Sequence, residues 1–230
     1  MHYKFRALRA AFPHTIPVMT GYLFLGAAFG ILLNSKGYHF GWAILMSFFI
    51  YAGSMQFVAV NLLTLAFNPI NAFLITLIVN ARHLFYGISM LKAFNGRGKL
   101  KPYLIAGLTD ETYSILCSTE PPDGIDKTWF MFFITLLNQM YWVIASAVGG
   151  LIGSLFTFDT MGIDFVMTAL FVVIFINQWK SENKHIPAIT GVAVSVICLL
   201  IFGPENFIIP SMALIVLVLT IFKKNIEEGF

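Results

Sequence analysis

The chain has 230 residues, of which 58% are hydrophobic and only 11% are charged. Soluble domains carry about 25% charged residues, so these few charges exclude a water-soluble protein, and most of the surface must face lipid. Net charge is +3, yet the first 109 residues hold nine Lys or Arg and no acid, whereas all eleven acids lie from Asp110 onward. The bases lie at the ends of apolar segments, which indicates topology signals and excludes a nucleic-acid surface.

The apolar runs predict an all-α polytopic membrane protein with about seven transmembrane helices, one or two of them broken or re-entrant. In chain order the runs cover residues 16–33, 42–67, 70–94, 103–117, 129–156, 165–179, 188–202 and 207–222. At about 20 residues per crossing, the length leaves room for one transport domain over residues 1–230 and for no separate soluble domain.

The second run is interrupted by the motif Gly53-Ser54-Met55-Gln56. Gly and Ser unwind helices inside membranes only where the freed backbone groups line a cavity. Such a break would suit the ammonium group of an amino acid, which backbone carbonyls and Gln56 would bind. The alternative is close helix packing through small residues.

The third run contains Arg82 and His83, flanked by Asn80 and Tyr86. An arginine in the middle of a span costs about 2.5–3.5 kcal/mol on insertion scales, so it needs a partner. We expect Arg82 to hold the carboxylate of a substrate, with its neighbours beside it, or to pair with an acid in the pathway. The alternative is that the span ends at Asn80 and that Arg82 snorkels to the interface.

The fourth run, residues 103–117, is short and contains Asp110 and Glu111. At 1.5 Å per residue it reaches only about 22 Å, so it is predicted to be a half-helix or re-entrant element. Buried carboxylates can carry protons near neutral pH, which predicts a proton-coupling site or a counter-ion for Arg82. The alternative is a solvated helix N-terminus, where acids are favoured.

The fifth run carries Asn138 ten residues from its start, with Tyr141 close by, and both are candidates for the pathway lining. In the sixth run, the motif Asn177-Gln178-Trp179 is typical of an aromatic belt at a membrane interface.

Glycines suggest a weak internal repeat. Residues 26–57 overlay residues 149–179, with Gly26 on Gly149, Gly30 on Gly153 and Gln56 on Gln178. Secondary transporters often have duplicated halves. The glycine pairs themselves are predicted to be contact faces between helices.

The sequence does not decide on which side of the membrane the N-terminus lies. An inside N-terminus suits Lys4, Arg6 and Arg9, yet three simple crossings would then place the basic loop 92–101 outside. A re-entrant hairpin over residues 70–94, broken at residues 80–83, would keep that loop inside. An outside N-terminus would do the same.

Motifs for other functions are lacking. The sequence has no nucleotide-binding loop, nucleophile–base motif or haem or iron–sulfur pattern, so we expect neither an enzyme nor a cofactor. His14 and His39 have no second ligand at metal-binding spacing, which predicts no metal site. An intramembrane hydrolase would have to pair Ser54 with His83. The remaining classes are a secondary carrier and a channel for a small zwitterion or weak acid.

Five motifs resemble those of one family. They are Gly21-Tyr-Leu-Phe-Leu-Gly-Ala-Ala-Phe-Gly30, Tyr51-Ala-Gly-Ser-Met-Gln-Phe57, Asn80-Ala-Arg-His-Leu-Phe-Tyr86, Gly107-Leu-Thr-Asp-Glu-Thr-Tyr113 and Asn138-Gln-Met-Tyr-Trp142. The chain resembles the AzlC family, the large subunit of bacterial branched-chain amino acid exporters. The resemblance implies a multi-pass protein of the cytoplasmic membrane that exports valine, leucine and isoleucine, sometimes methionine, and toxic analogues such as azaleucine. It also implies use of the proton gradient and a small membrane subunit of the AzlD type.

Overall fold

The computed structural model describes residues 2–64, 68–156, 164–181 and 185–221, and all regular structure in these ranges is helical. The chain divides into two compact units, residues 1–169 and 170–230. The single transport domain stays a prediction, and the candidate site lies in the first unit.

Ten α-helices are described, and seven of them precede residue 156. These seven are α1 (His2–Ser35), α2 (Phe40–Phe49), α3 (Gly53–Thr64), α4 (Pro69–Met90), α5 (Lys101–Ala106), α6 (Asp110–Ser118) and α7 (Lys127–Leu155). They are followed by α8 (Asp164–Ser181), α9 (Ile186–Asn206) and α10 (Ile208–Ile221). Within the described ranges, three helices, α1, α4 and α7, are long and apolar enough to cross a membrane. The count of seven crossings stays a prediction.

Helices α1 and α7 run parallel and pack through glycine. Gly26 lies against Ala145, Gly30 against Gly150, and Gly153 against Asn34, so the contacts advance in step along both helices. A Cβ added at Gly30 or at Gly149 would overlap the backbone of the other helix. The predicted contact faces are confirmed, since only a hydrogen side chain permits this approach.

Helices α2 and α3 form a re-entrant hairpin. The Tyr38 hydroxyl, just before α2, donates to the carbonyl oxygen of Leu63 at the end of α3 (3.1 Å), so the chain returns to the end of the bundle at which it entered. The tip is residues 50–52, where Tyr51 has φ of 42°. A non-glycine residue in this left-handed region is uncommon and marks a tight turn. The run is thus broken as predicted, but at residues 50–52; residues 53–56 are not unwound and form the first turn of α3.

Helix α4 is continuous from Pro69 to Met90, and the Asn68 side chain caps it by accepting from two backbone N–H groups. The predicted break at residues 80–83 is therefore wrong, as is the alternative that the span ends at Asn80. Residues 80–83 contain neither Gly nor Pro, and the carboxylate of Asp110 neutralises Arg82, so nothing forces the helix to end there.

Helices α5 and α6 form a second hairpin, whose tip is residues 107–109. Leu104 on α5 packs in one cluster with Met90, the last residue of α4, and with Phe94 just beyond it. Cys117, near the end of α6, returns to the same place, with its Sγ 3.9 Å from Sδ of Met90. The short fourth run is thus a re-entrant element, as predicted.

Both basic segments lie at one end of this unit, here called the basic end. Tyr3 packs edge-on against Trp129 at the start of α7, and Arg97 donates to the Thr128 hydroxyl (3.1 Å). The basic N-terminus and the loop 92–101 therefore share a side, which the positive-inside rule assigns to the cytoplasm. The α2–α3 hairpin enters from the opposite end and returns to it, so an inside N-terminus and an inside loop 92–101 are compatible.

The internal repeat stays a prediction, and the helices differ from it at one point. Helix α8 is continuous over the residues that align with the tip of the α2–α3 hairpin. The side chain of Gln178 lies outside the described part of the chain, as do residues 157–163 of the aligned segment.

Candidate functional site

The first turns of α3 and α6 meet in the middle of the first unit. The two hairpins enter from opposite ends, so each of these half-helices begins at a hairpin tip and runs outward. Helix N-termini carry partial positive charge and N–H groups without intrahelical partners. At α6 the Thr109 side chain caps one of these groups, the N–H of Thr112 (3.3 Å).

Arg82 links the two half-helices. Its Nη1 lies 2.7 Å from Oδ2 of Asp110, the first residue of α6, and its Nη2 donates to Oγ of Ser54 in the first turn of α3 (2.6 Å). Ser54 is buried, and the side chains of Arg82 and Asp110 are 24% and 26% exposed. Arg82 therefore points into the protein and does not snorkel. The acid partner predicted from the sequence is Asp110.

Glu111 has different surroundings from Asp110. The Tyr22 hydroxyl on α1 donates to Oε2 of Glu111 (2.6 Å) and also lies 3.2 Å from Oγ1 of Thr109. No salt bridge of Glu111 occurs among the described residues. As expected for neighbours on a helix, the two acids face different partners.

Helix α7 supports both hairpin tips with side chains one turn apart. Asn138 donates to Oγ1 of Thr112 on α6 (3.1 Å), and Trp142 donates to Oε1 of Gln56 on α3 (2.8 Å). The other end of the Gln56 amide donates to Ser47 on α2 (3.1 Å). Both polar atoms of Gln56 are thus engaged within the protein, so this side chain positions the tip and is not free to bind an ammonium group.

Gly53 begins α3 against the indole of Trp142. A Cβ at this glycine would lie 3.1 Å from the Trp142 ring, and Tyr22 packs edge-on against the same ring at 5.0 Å. The small residue predicted in the break therefore lets the hairpin tip approach α7 closely.

His83 and Tyr86 lie on the basic-end side of Arg82. Nδ1 of His83 is 3.3 Å from the carbonyl oxygen of Asn80, and its ring meets that of Tyr86 edge-on. Tyr86 stacks on Tyr113 of α6 at 4.5 Å. The pairing of Ser54 with His83 that a hydrolase would require is not formed, because Ser54 binds Arg82.

Tyr141 is not part of this cluster. Its hydroxyl lies 3.1 Å from Oγ1 of Thr15, in the first half of α1. The side chains of Asn177 and Gln178 lie outside the described residues.

Several buried polar atoms around Arg82 have no hydrogen-bond partner among the described residues. They are Oη of Tyr51, Oδ1 of Asn80, Nε of Arg82, Oδ1 of Asp110 and Oδ1 of Asn138. A buried polar atom without a partner costs about 1–3 kcal/mol, so such a concentration is typical of a site that binds a polar ligand.

Four residues of this cluster were not predicted from the sequence: Tyr22, Thr109, Thr112 and Trp142. Tyr22 was detectable as a phenolic hydroxyl in the apolar part of α1, where a buried hydroxyl needs a partner. The others carried weaker signals, because Thr109 and Thr112 flank the two acids and Trp142 resembles a belt residue.

Comparisons with known proteins agree with the resemblance in the motifs. The family model described as AzlC protein matches residues 17–156, more than half of the chain. The chain is 56% identical to the branched-chain amino acid transport protein AzlC of Bacillus subtilis (strain 168), over 97% of this chain and 88% of the relative. It is 46% identical to an uncharacterized membrane protein of Helicobacter pylori (strain J99), over 99% and 100%.

A more distant relative is the inner membrane protein YgaZ of Escherichia coli (strain K12), 28% identical over 61% of this chain and 58% of that protein. No solved structure matches. The relatives named as membrane proteins agree with the apolar helices of this chain, which is a multi-pass membrane protein.

Proposed function

The chain belongs to the AzlC family, and from this premise we propose that it exports valine, leucine and isoleucine, with methionine and toxic analogues as further substrates. We propose further that export is driven by protons and requires a small membrane subunit of the AzlD type. The name of the Bacillus subtilis relative, a branched-chain amino acid transport protein, supports the substrate class.

The observation that carries the proposal is the position of Arg82 between the first turns of two opposed half-helices. A carboxylate placed there would meet the planar fork of a guanidinium and the positive ends of two helices. Transporters that bind amino acids use broken helices near the membrane midplane in this way. The substrate carboxylate would compete with Asp110 for Arg82.

The ammonium group of the substrate would find acceptors in the same cluster. Oδ1 of Asn80 and Oδ1 of Asp110 are both buried without a partner among the described residues. An ammonium group carries three donors, so binding it would satisfy atoms that the protein itself leaves unpaired. Substrate binding by Asn80 and Arg82 follows the sequence prediction. Gln56 and Asn138 would act through other side chains, and Tyr141 lies outside the cluster.

The two acids would have separate roles in coupling. Asp110 pairs with a cation, so its negative charge is compensated until a substrate carboxylate displaces it. Glu111 has a tyrosine as its partner and no cation in the described part of the chain. A buried acid without a cation bears the full desolvation cost of ionising, which makes it suited to carry a proton. We therefore propose Glu111 as the proton carrier.

Inside-out membrane vesicles test this proposal, because export then appears as uptake. Vesicles that contain the chain with its small subunit should accumulate labelled leucine, valine and isoleucine when the lumen is made acidic. Vesicles with the chain alone should accumulate less. Absence of accumulation for all three amino acids, with both subunits detected in the membrane, would contradict the proposed function.

A further inference from the structure

Tyr51 is the buried tyrosine at the tip of the α2–α3 hairpin, and it is only 6% exposed. Its hydroxyl lies beside the side chains of Thr109 and Thr112 at the tip of the other hairpin, and near the carboxylate of Glu111. This hydroxyl is shielded from solvent and makes no hydrogen bond with any described residue. The tip thus holds an unpaired donor next to the acid proposed as the proton carrier.

Packing on α7 brings the hairpin tip to the Tyr22–Glu111 pair. A Cβ at Gly53, two residues after Tyr51, would lie 3.1 Å from the ring of Trp142. Tyr22 packs edge-on against the same ring at 5.0 Å and donates to Glu111 (2.6 Å). One indole therefore positions both the tip and the tyrosine that binds the acid.

The backbone of Tyr51 is in the left-handed region, with φ of 42°. Among the described residues other than glycine, Tyr51 alone has a positive φ, and a side chain of this size is uncommon there. Glycine would form the same turn without strain but would carry no hydroxyl into the cluster. Backbone strain of this kind is concentrated at functional and switching sites, which makes Tyr51 more than a turn residue.

The same tip also contacts the arginine of the site. Ser54 lies three residues after Tyr51, and its Oγ accepts from Nη2 of Arg82, whose Nη1 pairs with Asp110. A substrate carboxylate that competes for Arg82 would loosen Ser54 and, through the two residues between them, would shift Tyr51 as well. The tip therefore links the site proposed for the substrate to the site proposed for the proton.

We propose that Tyr51 couples the two sites by donating a hydrogen bond to Glu111 when the substrate loosens the tip. This inference rests on the proposed function. In this structure Glu111 has one hydroxyl donor, Tyr22, among the described residues. A second donor stabilises the carboxylate, so the O–H bond of the acid breaks, its electron pair stays on the carboxylate, and the proton passes to water. Substrate and proton would thus displace each other, as exchange in opposite directions requires.

The other groups that face Glu111 agree with this role. They are Tyr22 on α1, Tyr86 on α4 and the neighbouring Asp110, which is itself paired with Arg82. None of the described groups facing Glu111 is a cation, so its charged form can gain stability here only from hydroxyl donors. Tyr51 supplies the one hydroxyl among them that is buried and unpaired.

Calorimetry of leucine binding tests this inference on the purified protein with its small subunit, across the pH range in which wild-type transport titrates. The wild type should bind leucine on the order of tenfold more tightly at the alkaline end, the effect of one hydrogen bond to a charged group. Tyr51→Phe keeps the ring but removes the donor, so its leucine affinity should change less than about twofold over the same range. Glu111→Gln should show the same flat profile, because it cannot ionise.

Tyr141→Phe is the matched control, since its hydroxyl contacts Thr15 outside the cluster, and it should retain the wild-type pH dependence. Thermal unfolding supplies a second readout. The Tyr51 hydroxyl has no hydrogen bond among the described residues, so Tyr51→Phe should keep the wild-type midpoint. A tyrosine with a merely structural role would show the reverse pattern, a lower midpoint with an unchanged pH profile.

The outcomes separate this inference from the proposed function. If the wild type binds no branched-chain amino acid, the proposed function fails and the inference with it. If the wild type binds leucine with the expected pH dependence and Tyr51→Phe retains that dependence, the inference is overturned while the function stands. Leucine affinity that is independent of pH in the wild type also overturns it, because substrate and proton would then not compete.

Discussion

Asp110 is the first residue of α6, and its Oδ2 lies 2.7 Å from Nη1 of Arg82 on α4. The same guanidinium binds Ser54, the second residue of α3. One arginine thus holds together the N-termini of two half-helices that come from opposite ends of the unit. A ligand that competes for this arginine would loosen both hairpin tips at once.

Replacement of Arg82 by Ala should reduce leucine transport by on the order of a hundredfold, since loss of a hydrogen-bonded charge contact costs about 2–5 kcal/mol. Lys should restore only part of it, because an ammonium group lacks the planar fork. The amount of inserted protein must be compared, because Asp110 loses its cation. The double variant Arg82→Ala with Asp110→Asn removes that unpaired charge, so it should regain thermal stability without regaining transport. Normal transport by Arg82→Ala would exclude a role in binding.

Glu111→Gln should abolish accumulation of leucine against a gradient while retaining exchange of labelled leucine between equal pools. The amide has nearly the same shape but cannot ionise. Asp110→Asn should instead change the leucine concentration at half-maximal transport, because it alters competition for Arg82. Glu120→Gln is the control, since this exposed acid pairs with Lys127 at the basic end. Wild-type accumulation by both site variants across the pH range would exclude both carboxylates from coupling.

Tyr22→Phe removes the hydroxyl that donates to Glu111. A hydrogen bond to a charged group contributes about 1.5–3 kcal/mol, so proton-driven accumulation should fall by on the order of tenfold. Tyr141→Phe removes a hydroxyl of the same kind that contacts Thr15 outside the cluster, and should leave transport unchanged. Equal effects of the two substitutions on initial rates would show that the Tyr22 contact has no special role.

Gly30→Ala should destabilise the protein, because the added methyl would overlap the backbone of α7. Overpacking typically costs 1–3 kcal/mol, which predicts a clearly lower thermal midpoint in detergent. Gly21→Ala on the same helix meets nothing within 4 Å and should match or exceed the wild type. A Gly30→Ala variant as stable as Gly21→Ala would mean that α1 and α7 are not in close contact.

Some features of the site could be predicted because they follow from the free-energy cost of a charged residue in an apolar run, or from the length of that run. An arginine inside an apolar run must have a partner, and an apolar run too short to cross must turn back, so the need of Arg82 for an acid and the re-entrant fourth run could both be inferred. Gly53 and Ser54 likewise marked a helix break.

The features that the sequence did not predict depend on contacts between distant segments. A break at Gly53 does not say whether the chain continues across the membrane or returns, which is decided by Tyr38 meeting Leu63. The partnership of Tyr22 with Glu111 joins α1 to α6, and local composition does not identify Glu111 as the partner. An apolar cavity of about 460 Å³ lies between α2, α3 and α4, and none of these helices reveals it alone.

The most direct test of the central claim compares binding of leucine and leucinamide to the purified protein with its small subunit by calorimetry. Leucinamide retains the ammonium group and the side chain but lacks the carboxylate. If the carboxylate binds Arg82, the wild type should bind leucine at least about tenfold more tightly, and Arg82→Ala should bind the two ligands alike. Equal affinities in the wild type, or a preference for leucine that survives in Arg82→Ala, would contradict the account.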